Sequence, residues 1–441
     1  MKRLRHISLK QIRGIILLLS LILLSAALSG CISAARNAGA DTIVQVGNHA
    51  EWEPVREVLV HTPDQELFLG VVHPAAALFE RAFGIDGAAE EHRNYIRLLE
   101  AEGVRVHTVV DALLTGTVDD KGQPIEGADL EALRSFAATI LSFDSSALPA
   151  PMQVEQIAYK NEVISSLHPK ELVSIILQRP TIHLQTTDIN TGLTATYEAA
   201  PVMNLYFLRD QMITTANGIV ISKMNSPQRA AETEIIKFAL AKLGVTPIYE
   251  VTGEGRLEGG DFLPAGDTAF IGQGLRTNSE ALRQMLDNQV FGAFRVVAVK
   301  EPWQNQVQMH LDTYFNIIGP NLAVLVEERL NRVEGRVLKA DVYEMADGQY
   351  KKVISDADFV DYVQKNLGFT LIHVSNADQE KYGINFLTTT ANRILGIDGV
   401  SEDYKERLAN MGVNATWMDF RNLTGGYGAA HCTVQVLQRG Y

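Results

Sequence analysis

The sequence predicts an α/β protein in which five strand–helix units close around an axis. Short apolar, β-prone runs recur along the chain, four of them at intervals of roughly 50–75 residues, a spacing typical of propellers and solenoids. Segments with helical spacing of apolar residues lie between these runs, which argues against a propeller made only of strands. The five runs are Glu57–Thr62, Gly218–Ser222, Ala269–Gly272, Leu322–Val326 and Arg393–Gly396.

Composition excludes several classes of protein. Of the 441 residues, 46% are hydrophobic and 21% are charged, which is typical of a globular chain with a large core. The formal net charge is −13, which argues against a sequence-independent nucleic-acid binder, because phosphate binding needs clustered cations. The chain has only two cysteines, too few for a disulfide framework or a four-thiolate zinc site.

The N-terminus has the pattern of an export signal. Residues 1–30 contain five basic and no acidic residues, and an apolar run extends from Ile15 to Ala27. This run is short for a membrane span but typical of a secretory signal. It ends in Leu28-Ser29-Gly30 before Cys31, which resembles the lipobox of bacterial lipoproteins. We therefore expect a signal peptide over 1–30, lipidation of Cys31, a linker over 31–51 and a lipid-anchored, exported protein. An uncleaved signal anchor is the alternative.

The folded chain is expected to begin near Trp52. A strand over Arg56–Thr62, a helix over Ala88–Glu102 and a strand over Val104–Val110 open a catalytic α/β domain that comprises residues 52–110 and 183–441. Residues 111–182 are expected to form an all-helical insertion, and later helices are expected between the strands. The predicted helices of these regions are Leu130–Phe143, Met152–Leu167, Pro169–Leu177, Ala230–Leu243 and Asp356–Leu367.

Cys432 is a candidate nucleophile near the C-terminus. It follows Gly425-Gly-Tyr-Gly-Ala-Ala-His431, and these glycines allow the backbone to approach a ligand closely. A thiol carried by such a loop suits covalent catalysis. A buried structural cysteine is the alternative for a cysteine taken alone.

Three further segments carry residues suited to proton transfer and cation binding. Met309-His-Leu-Asp-Thr-Tyr-Phe315 places His310 and Asp312 two residues apart, on one face if the segment is a strand. Alone, this pair could equally lie at the surface, and a metal site would need a third ligand. Leu257-Glu-Gly-Gly-Asp-Phe262 and Asn204-Leu-Tyr-Phe-Leu-Arg-Asp210 add carboxylates, which bind a planar guanidinium through paired hydrogen bonds. A thiol, a histidine and carboxylates together indicate guanidine hydrolysis or amidine transfer.

With these motifs in this order, the sequence resembles arginine deiminases of the guanidine-modifying superfamily from about Trp52 to Tyr441. The matching motifs are Phe207–Asp210, Glu258–Asp261, Met309–Phe315 and Cys432. The resemblance implies the pentein fold, a pseudo-symmetric five-bladed α/β propeller, with an inserted helical subdomain. It also implies hydrolysis of L-arginine to L-citrulline and ammonia without a metal or organic cofactor.

The resemblance also implies the role of each site residue. Cys432 would form a covalent amidino intermediate, and His310 would protonate the departing ammonia and then activate water. Asp210 and Asp312 would hold the guanidinium, and Glu258 would orient His310. At the other end of the substrate, the implied binding residues are Asn204, Phe207, Arg229 and Arg276.

One departure from the family pattern leaves the substrate open. Arginine deiminases commonly have Gly-Pro-Arg-Cys at the nucleophile with a further Arg just upstream, whereas this chain has Tyr427-Gly-Ala-Ala-His-Cys432. Its His-Cys pair looks more like agmatine deiminases and amidinotransferases. Agmatine deiminase, peptidyl-arginine deiminase and amidinotransferase activities therefore stay open, as does a tethered arginine-binding protein without catalysis. The expected partners are a small guanidine substrate and, through the anchor, a membrane. No nucleic-acid partner is expected, and a homo-oligomer is compatible with the sequence.

Overall fold

The computed structural model describes residues 44–330 and 336–440, so the expected signal peptide and Cys31 lie outside the described residues. Within those ranges the chain has a mixed α/β fold with six sheets. The strands are β1 Val55–Val60, β2 Arg105–Thr108, β3 Ser142–Asp144, β4 Pro180–Thr186, β5 Leu193–Ala199, β6 Met212–Thr215, β7 Gly218–Ile221, β8 Tyr249–Glu250, β9 Phe262–Ala265, β10 Thr268–Gln273, β11 Arg295–Lys300, β12 Phe315–Gly319, β13 Leu322–Val326, β14 Lys339–Ala346, β15 Gln349–Asp358, β16 Thr370–Val374, β17 Leu387–Thr390, β18 Arg393–Ile397, β19 Asn414–Met418 and β20 Val434–Arg439.

The helices lie mainly between the second and third strands of the sheets, and their ends follow local sequence signals. The helix Ile85–Ala101 buries one apolar face and is followed by Gly103 with a φ of 82°. The helix Ser279–Asp287 starts where the Asn278 side chain accepts a hydrogen bond from the Ala281 N–H. The helices are α1 Phe68–Val72, α2 Ile85–Ala101, α3 Val109–Leu114, α4 Ala128–Ile140, α5 Ala150–Ser166, α6 Pro169–Gln178, α7 Ala230–Lys242, α8 Ser279–Asp287, α9 Phe359–Asp361, α10 Asn376–Gln379 and α11 Glu402–Asn410.

Five of the six sheets repeat one topology. In each, an antiparallel pair is extended by a third strand that runs parallel to the second strand of the pair. Strand β20 pairs with β1, so the two ends of the described chain lie in the same sheet. The five recurring apolar runs are thus confirmed as strands, namely β1, β7, β10, β13 and β18. Each is an inner strand with a neighbouring strand on both sides, and its apolar side chains are buried.

The inserted region differs from the all-helical expectation. Helices α4, α5 and α6 occupy most of it, but β3 lies between α4 and α5 and pairs with β4, which in turn pairs with β5. The region predicted as all-helical therefore contributes to a three-stranded sheet that continues to Ala199. The predicted helix over Asp356–Leu367 is also shorter, because β15 runs to Asp358 and α9 begins only at Phe359.

The segment before Trp52 is also more ordered than a linker. Gly47 N–H donates to the Leu437 carbonyl and Glu51 N–H donates to the Pro264 carbonyl, both over 2.9 Å. The Glu51 side chain is buried against Arg439. The expected linker therefore cannot extend to residue 51, because residues 44–51 pack into the fold. Within the described ranges, no helix is both long and apolar enough to cross a membrane.

Candidate active site

Five chain segments meet at one place, and each directly precedes the first strand of a repeated sheet. They are residues 204–211 before β6, 258–261 before β9, 310–314 before β12, 385–386 before β17 and 428–433 before β20. Hydrogen bonds connect them in a ring, in which every segment is bonded to two others. The bonds are Arg209 N–H to Cys432 O (3.1 Å), Gly259 N–H to Asp210 O (3.1 Å), Leu311 N–H to Asp261 Oδ1 (3.0 Å), Asn385 Nδ2 to Asp312 O (3.3 Å) and His431 N–H to Asn385 O (3.1 Å).

Cys432 is the free thiol of this ring. Its side chain is buried, with 3% of its surface exposed, and its Sγ lies 3.8 Å from Oδ2 of Asp312. Burial raises the pKa of the Cys432 thiol, and the negative charges of Asp312 and Asp210 raise it further. Without a bound cation the thiol is therefore neutral at neutral pH, and a positive charge beside the two carboxylates would favour the thiolate.

His310 and Asp312 both belong to the site, and the segment that carries them is a turn and not a strand. His310 precedes a short 3-10 turn, Leu311–Thr313, so the two side chains reach different partners. His310 Nε2 donates to Glu258 Oε2 over 2.9 Å, and its Nδ1 lies 3.8 Å from Asp210 Oδ1. The prediction that Glu258 contacts His310 agrees with this geometry.

The same neighbours set the proton affinity of His310. Burial alone would lower the pKa of His310, but the charge of Asp210 and the hydrogen bond to Glu258 outweigh burial and raise this pKa to about 9. Burial opposes ionisation of Glu258, yet the bond from His310 and the charges of Arg276 and Arg229 hold the pKa of Glu258 below its usual value. At neutral pH the imidazole is therefore protonated and can donate a proton.

Asp210 and Asp312 each have one oxygen in use and one free. Oδ2 of Asp210 accepts from Arg229 Nη1 over 2.8 Å, and Oδ2 of Asp312 accepts from His431 Nδ1 over 2.6 Å. Oδ1 of each carboxylate is buried and has no hydrogen-bond partner among the described residues. Because a buried acceptor without a hydrogen bond is costly, these two Oδ1 atoms indicate a binding place for a planar cationic donor.

Arg229 lies at this end of the site rather than free for a distant carboxylate. Its Nε and Nη2 donate to Glu232, which lies one turn further along at the start of α7, and Nη2 also reaches the Asn204 carbonyl over 3.3 Å. Its Nη1 donates to Asp210. Arg229 therefore balances the charge of Asp210 and Glu232 in this structure, and its role in binding substrate stays a prediction.

Arg276 forms fewer hydrogen bonds than Arg229. Its Nη2 donates to Gln306 Oε1 over 3.2 Å, its Nη1 lies 3.9 Å from Glu258 Oε1, and its buried Nε has no partner within the described part of the chain. An arginine with unused donors beside the site can bind a carboxylate through two parallel bonds. Of the two predicted arginines, Arg276 therefore has the better geometry for this role.

Asn204 and Phe207 line the site from the segment before β6. The Asn204 amide donates to the Ala77 carbonyl over 2.9 Å, so its nitrogen is already in use. The Phe207 ring lies against Gly426 and Gly428, and a Cβ built on Gly428 would stand only 2.3 Å from the ring. Glycine at 428 therefore lets the nucleophile loop pack closely on Phe207. The close approach of this glycine-rich run to a ligand stays a prediction.

The sequence did not identify three buried residues that hold the site together. Glu232 bonds Arg229, Asn385 bonds the Cys432 loop, and Glu51 lies 3.8 Å from His431 Nε2 and forms an ion pair with Arg439 at 2.5 Å. The spacing of Arg229 and Glu232 on a helix start was an available signal. Glu51 and Asn385 depend on contacts between distant parts of the chain, and local patterns carry no trace of them.

Asp210, Glu258 and His310 could also hold a metal ion by distance, since their ligand atoms lie within 4.8 Å of one another. However, Glu258 accepts a hydrogen bond from His310, and the Arg229 cation lies 2.8 Å from Asp210. A metal held by all three residues would compete with the bond between His310 and Glu258 and would lie near the fixed positive charge of Arg229. These residues therefore fit an organic cation donor better than a metal.

Comparisons with known proteins agree with this chemistry. A model of the arginine deiminase family matches residues 76–439. The arginine deiminase of Halobacterium salinarum is 25% identical over 500 residues, which cover 90% of this chain and 98% of the relative. That of Metamycoplasma arthritidis is 24% identical, with 89% and 96% covered. A mutant dimethylarginine dimethylaminohydrolase from Pseudomonas aeruginosa, solved with citrulline, has a TM-score of 0.50 at 15% identity over 87% of this chain and 99% of that one. That likeness concerns the fold.

Proposed function

The chain belongs to the arginine deiminase family, and we propose that it hydrolyses L-arginine to L-citrulline and ammonia through a covalent intermediate on Cys432. The observation that carries this proposal is the pair of buried carboxylates, Asp210 and Asp312, whose Oδ1 atoms have no hydrogen-bond partner among the described residues. The other oxygen of Asp312, Oδ2, lies 3.8 Å from the Cys432 thiol. A guanidinium is planar, permanently charged and rich in N–H donors, so one substrate group would satisfy both oxygens.

Binding of the guanidinium would activate the nucleophile. The carboxylates that hold the substrate are the same groups that raise the pKa of Cys432 in the free protein. A cation placed between them offsets their charge, so loss of the thiol proton becomes more favourable when substrate is bound. The reactive thiolate would thus form next to the guanidinium carbon. Exclusion of water from the occupied site would strengthen the attraction between the guanidinium and the two carboxylates.

The reaction then proceeds in two halves. In the first, the Cys432 thiolate forms a bond to the guanidinium carbon, one terminal C–N bond breaks, and the leaving nitrogen takes the proton of His310 and departs as ammonia. In the second, neutral His310 accepts a proton from water while the water oxygen bonds to the same carbon. The C–S bond breaks and the remaining hydroxyl proton passes to the released sulfur, which restores the neutral Cys432 thiol and leaves the ureido group of citrulline. The proton that Cys432 lost when substrate bound leaves with ammonia as ammonium. Glu258 would hold the imidazole throughout through its 2.9 Å bond.

Free arginine is favoured as substrate by the cations near the site. Arg276 has an unused buried N–H, and its Nη1 lies 3.9 Å from Glu258, as does Nη1 of Arg229. Arg229 also donates to the Asn204 carbonyl. A cationic group there suits an α-carboxylate, which agmatine lacks. Amidinotransferase chemistry would use the same cysteine but would pass the amidino group to a second amine.

One experiment separates these activities. The purified protein is incubated with arginine, agmatine and an arginine-containing peptide, and ureido product and ammonia are measured. We expect equal amounts of citrulline and ammonia from arginine, with far slower turnover of the other two. Product from agmatine alone would assign an agmatine deiminase, whereas binding of arginine without product would favour a tethered binding protein.

We further propose that the five repeated sheets form the blades of a pentein propeller, with the mixed helical and β region as an insertion into it. The ring of hydrogen bonds among the five pre-strand segments supports this arrangement. The pairing of β20 with β1 supports it as well, because it places both chain ends in one blade.

We also propose that the protein is exported and anchored through lipidated Cys31. Support comes from the basic start, the short apolar run and the small residues before Cys31. A homo-oligomer stays a prediction.

A further inference from the structure

Asn385 connects the nucleophile loop to the loop that carries Asp312. Its Oδ1 accepts from the backbone N–H groups of Cys432, over 3.2 Å, and Ala429, over 3.1 Å. Its Nδ2 donates to the Asp312 carbonyl over 3.3 Å, and its own carbonyl accepts from the His431 N–H over 3.1 Å. With 1% of its surface exposed, Asn385 has no competition from bulk water for these bonds.

Its place in the fold repeats that of two site residues. Asn385 lies two residues before β17, just as Asp210 lies two residues before β6 and Cys432 two residues before β20. These strands are the first of their sheets, so the shared topology brings the three positions to the same centre. Within the described residues, Asn385 is the residue through which the sheet that starts with β17 contributes a polar side chain to the ring.

A second asparagine fixes the turn that carries Asn385. Asn316, at the start of β12, donates from Nδ2 to the carbonyls of Ile384 and Phe386, over 2.8 and 2.9 Å. These are the two neighbours of Asn385 in the chain, so its backbone is held on both sides. Asn316 is also buried, with 1% exposed, and each of its bonds is therefore made away from solvent.

Only an amide satisfies all the partners of Asn385. The two N–H groups need an acceptor on one side, and the Asp312 carbonyl needs a donor on the other. A carboxylate would face that carbonyl with a negative oxygen and add charge near Cys432, whereas an apolar side chain would leave all three groups unpaired. Although burial and the charges of Asp312 and Asp210 raise the pKa of Cys432, hydrogen bonding by the Asn385 side chain acts in the opposite direction.

We propose that Asn385 is a positioning residue that sets the distance and orientation between the Cys432 nucleophile and the Asp312 carboxylate, with Asn316 as its support. The choice of arginine as the substrate in the test of this inference rests on the proposed function. It acts through the backbone of both loops and touches no substrate atom. Its loss therefore lowers the rate of the chemical step more than it weakens binding.

The test uses Asn385→Ala and Asn385→Asp in the full chain, with Gln284→Ala as a matched control. Gln284 is also a buried amide with hydrogen bonds on both sides, to Thr252 N–H, the Thr252 carbonyl and Glu280, but none of these partners belongs to the site. We expect both Asn385 variants to lose roughly ten- to a hundredfold in kcat, with KM changed by less than about threefold. The control should lose thermal stability and keep kcat within about twofold.

Backbone hydrogen exchange provides a readout that needs no turnover. In the unmodified protein, the amides of Cys432 and Ala429 should be strongly protected, and protection at both should fall at least about tenfold in Asn385→Ala but not in Gln284→Ala. Unprotected amides in the unmodified protein would overturn the inference even if every Asn385 variant failed to fold. So would folded Asn385 variants with unchanged kcat and protection. If the unmodified protein is inactive on arginine but shows this exchange pattern, the proposed substrate is wrong and the positioning role holds.

Discussion

His431 Nδ1 donates to Oδ2 of Asp312 over 2.6 Å, and this bond leaves Oδ1 of the same carboxylate buried and unpartnered within the described residues. Arg229 has the equivalent effect on Asp210. Each carboxylate is thus held through Oδ2 by a protein donor, while its Oδ1 has no hydrogen-bond partner within the described residues. The orientation of both carboxylates is therefore set before the substrate arrives, and each keeps one oxygen that can bind a guanidinium.

The first prediction concerns His431. In His431→Ala, Asp312 loses its strongest partner and can rotate, so affinity for arginine and turnover should together fall about ten- to a hundredfold in kcat/KM, the usual effect of losing a charge-assisted bond. His183→Ala is the matched control, because His183 also contacts two acids, Asp144 and Glu198, on the exposed inserted sheet. Steady-state kinetics of both variants would measure kcat/KM for arginine. Unchanged kcat/KM in His431→Ala would mean that Asp312 is held by other groups.

The second prediction is the pH dependence of the thiol. The thiolate is the form that reacts with an alkylating reagent, and the pKa of Cys432 is raised by burial and by Asp312 and Asp210. Below that pKa the thiol is neutral, so the alkylation rate of the free protein should rise about tenfold per pH unit from pH 6 to 9 without a plateau. A plateau below about pH 8 in the rate of iodoacetamide labelling would contradict a raised pKa of Cys432.

The same assay has a control in Asp210→Asn. Removal of this negative charge should lower the pKa of the thiol and therefore speed alkylation at a fixed pH. Cys432→Ser should show no labelling, because Cys31 is expected to be lipidated in the mature protein. Slower labelling in Asp210→Asn would show that Asp210 does not act on Cys432 through its charge.

The third prediction separates the two arginines. Arg229→Ala leaves Asp210 and Glu232 buried without their cation, which typically costs about 3–5 kcal/mol in the free energy of unfolding. Arg276→Ala breaks weaker contacts, so the protein should stay folded while kcat/KM for arginine falls roughly ten- to a hundredfold and that for agmatine changes little. Thermal unfolding and kinetics on both substrates would measure this. Arg283→Ala, at an exposed surface ion pair, should change neither.

Two outcomes would contradict this assignment. Equal losses on arginine and agmatine in Arg276→Ala would mean that Arg276 supports the fold instead of binding the carboxylate. A stable Arg229→Ala protein that discriminates poorly between the two substrates would assign carboxylate recognition to Arg229, as the sequence predicted.

The fourth prediction concerns the anchor. Cys31→Ser removes the lipidated atom, so the protein should move from the membrane fraction to the soluble fraction of the exported material. Fractionation followed by immunodetection would measure this, with Cys432→Ser as the control that should stay with the membrane. Equal membrane association of Cys31→Ser and the unmodified protein would favour an uncleaved signal anchor.

The sequence predicted the chemistry better than the architecture that supports it. Cys432, His310, Glu258 and Asp210 lie together as expected, because each belongs to a motif whose residue types suit guanidine chemistry when they occur together. The strands β1, β7, β10, β13 and β18 also followed from their apolar runs, since they are inner strands whose apolar side chains are buried. Local patterns were sufficient for both, because each depends on residues that are close together in the chain.

The supporting residues depend on tertiary contacts that leave no local signal. Glu51 was placed in a linker, yet it pairs with Arg439 from the other end of the chain. An asparagine two residues before a strand is typical of ordinary turns, so Asn385 did not stand out. The His-x-Asp pair would share one face on a strand, but the 3-10 turn at Leu311 directs His310 to Glu258 and Asp312 to His431.

The most direct test of the account is the mass of the intermediate on Cys432. The protein is mixed with arginine, quenched in acid within the first turnover, digested and analysed by mass spectrometry. The account predicts that the peptide containing Cys432 gains the mass of arginine less ammonia, and that Cys432→Ser gains nothing. A gain of only an amidino group would identify a transferase that releases ornithine first. Citrulline formed at a normal rate by Cys432→Ser would contradict covalent catalysis altogether.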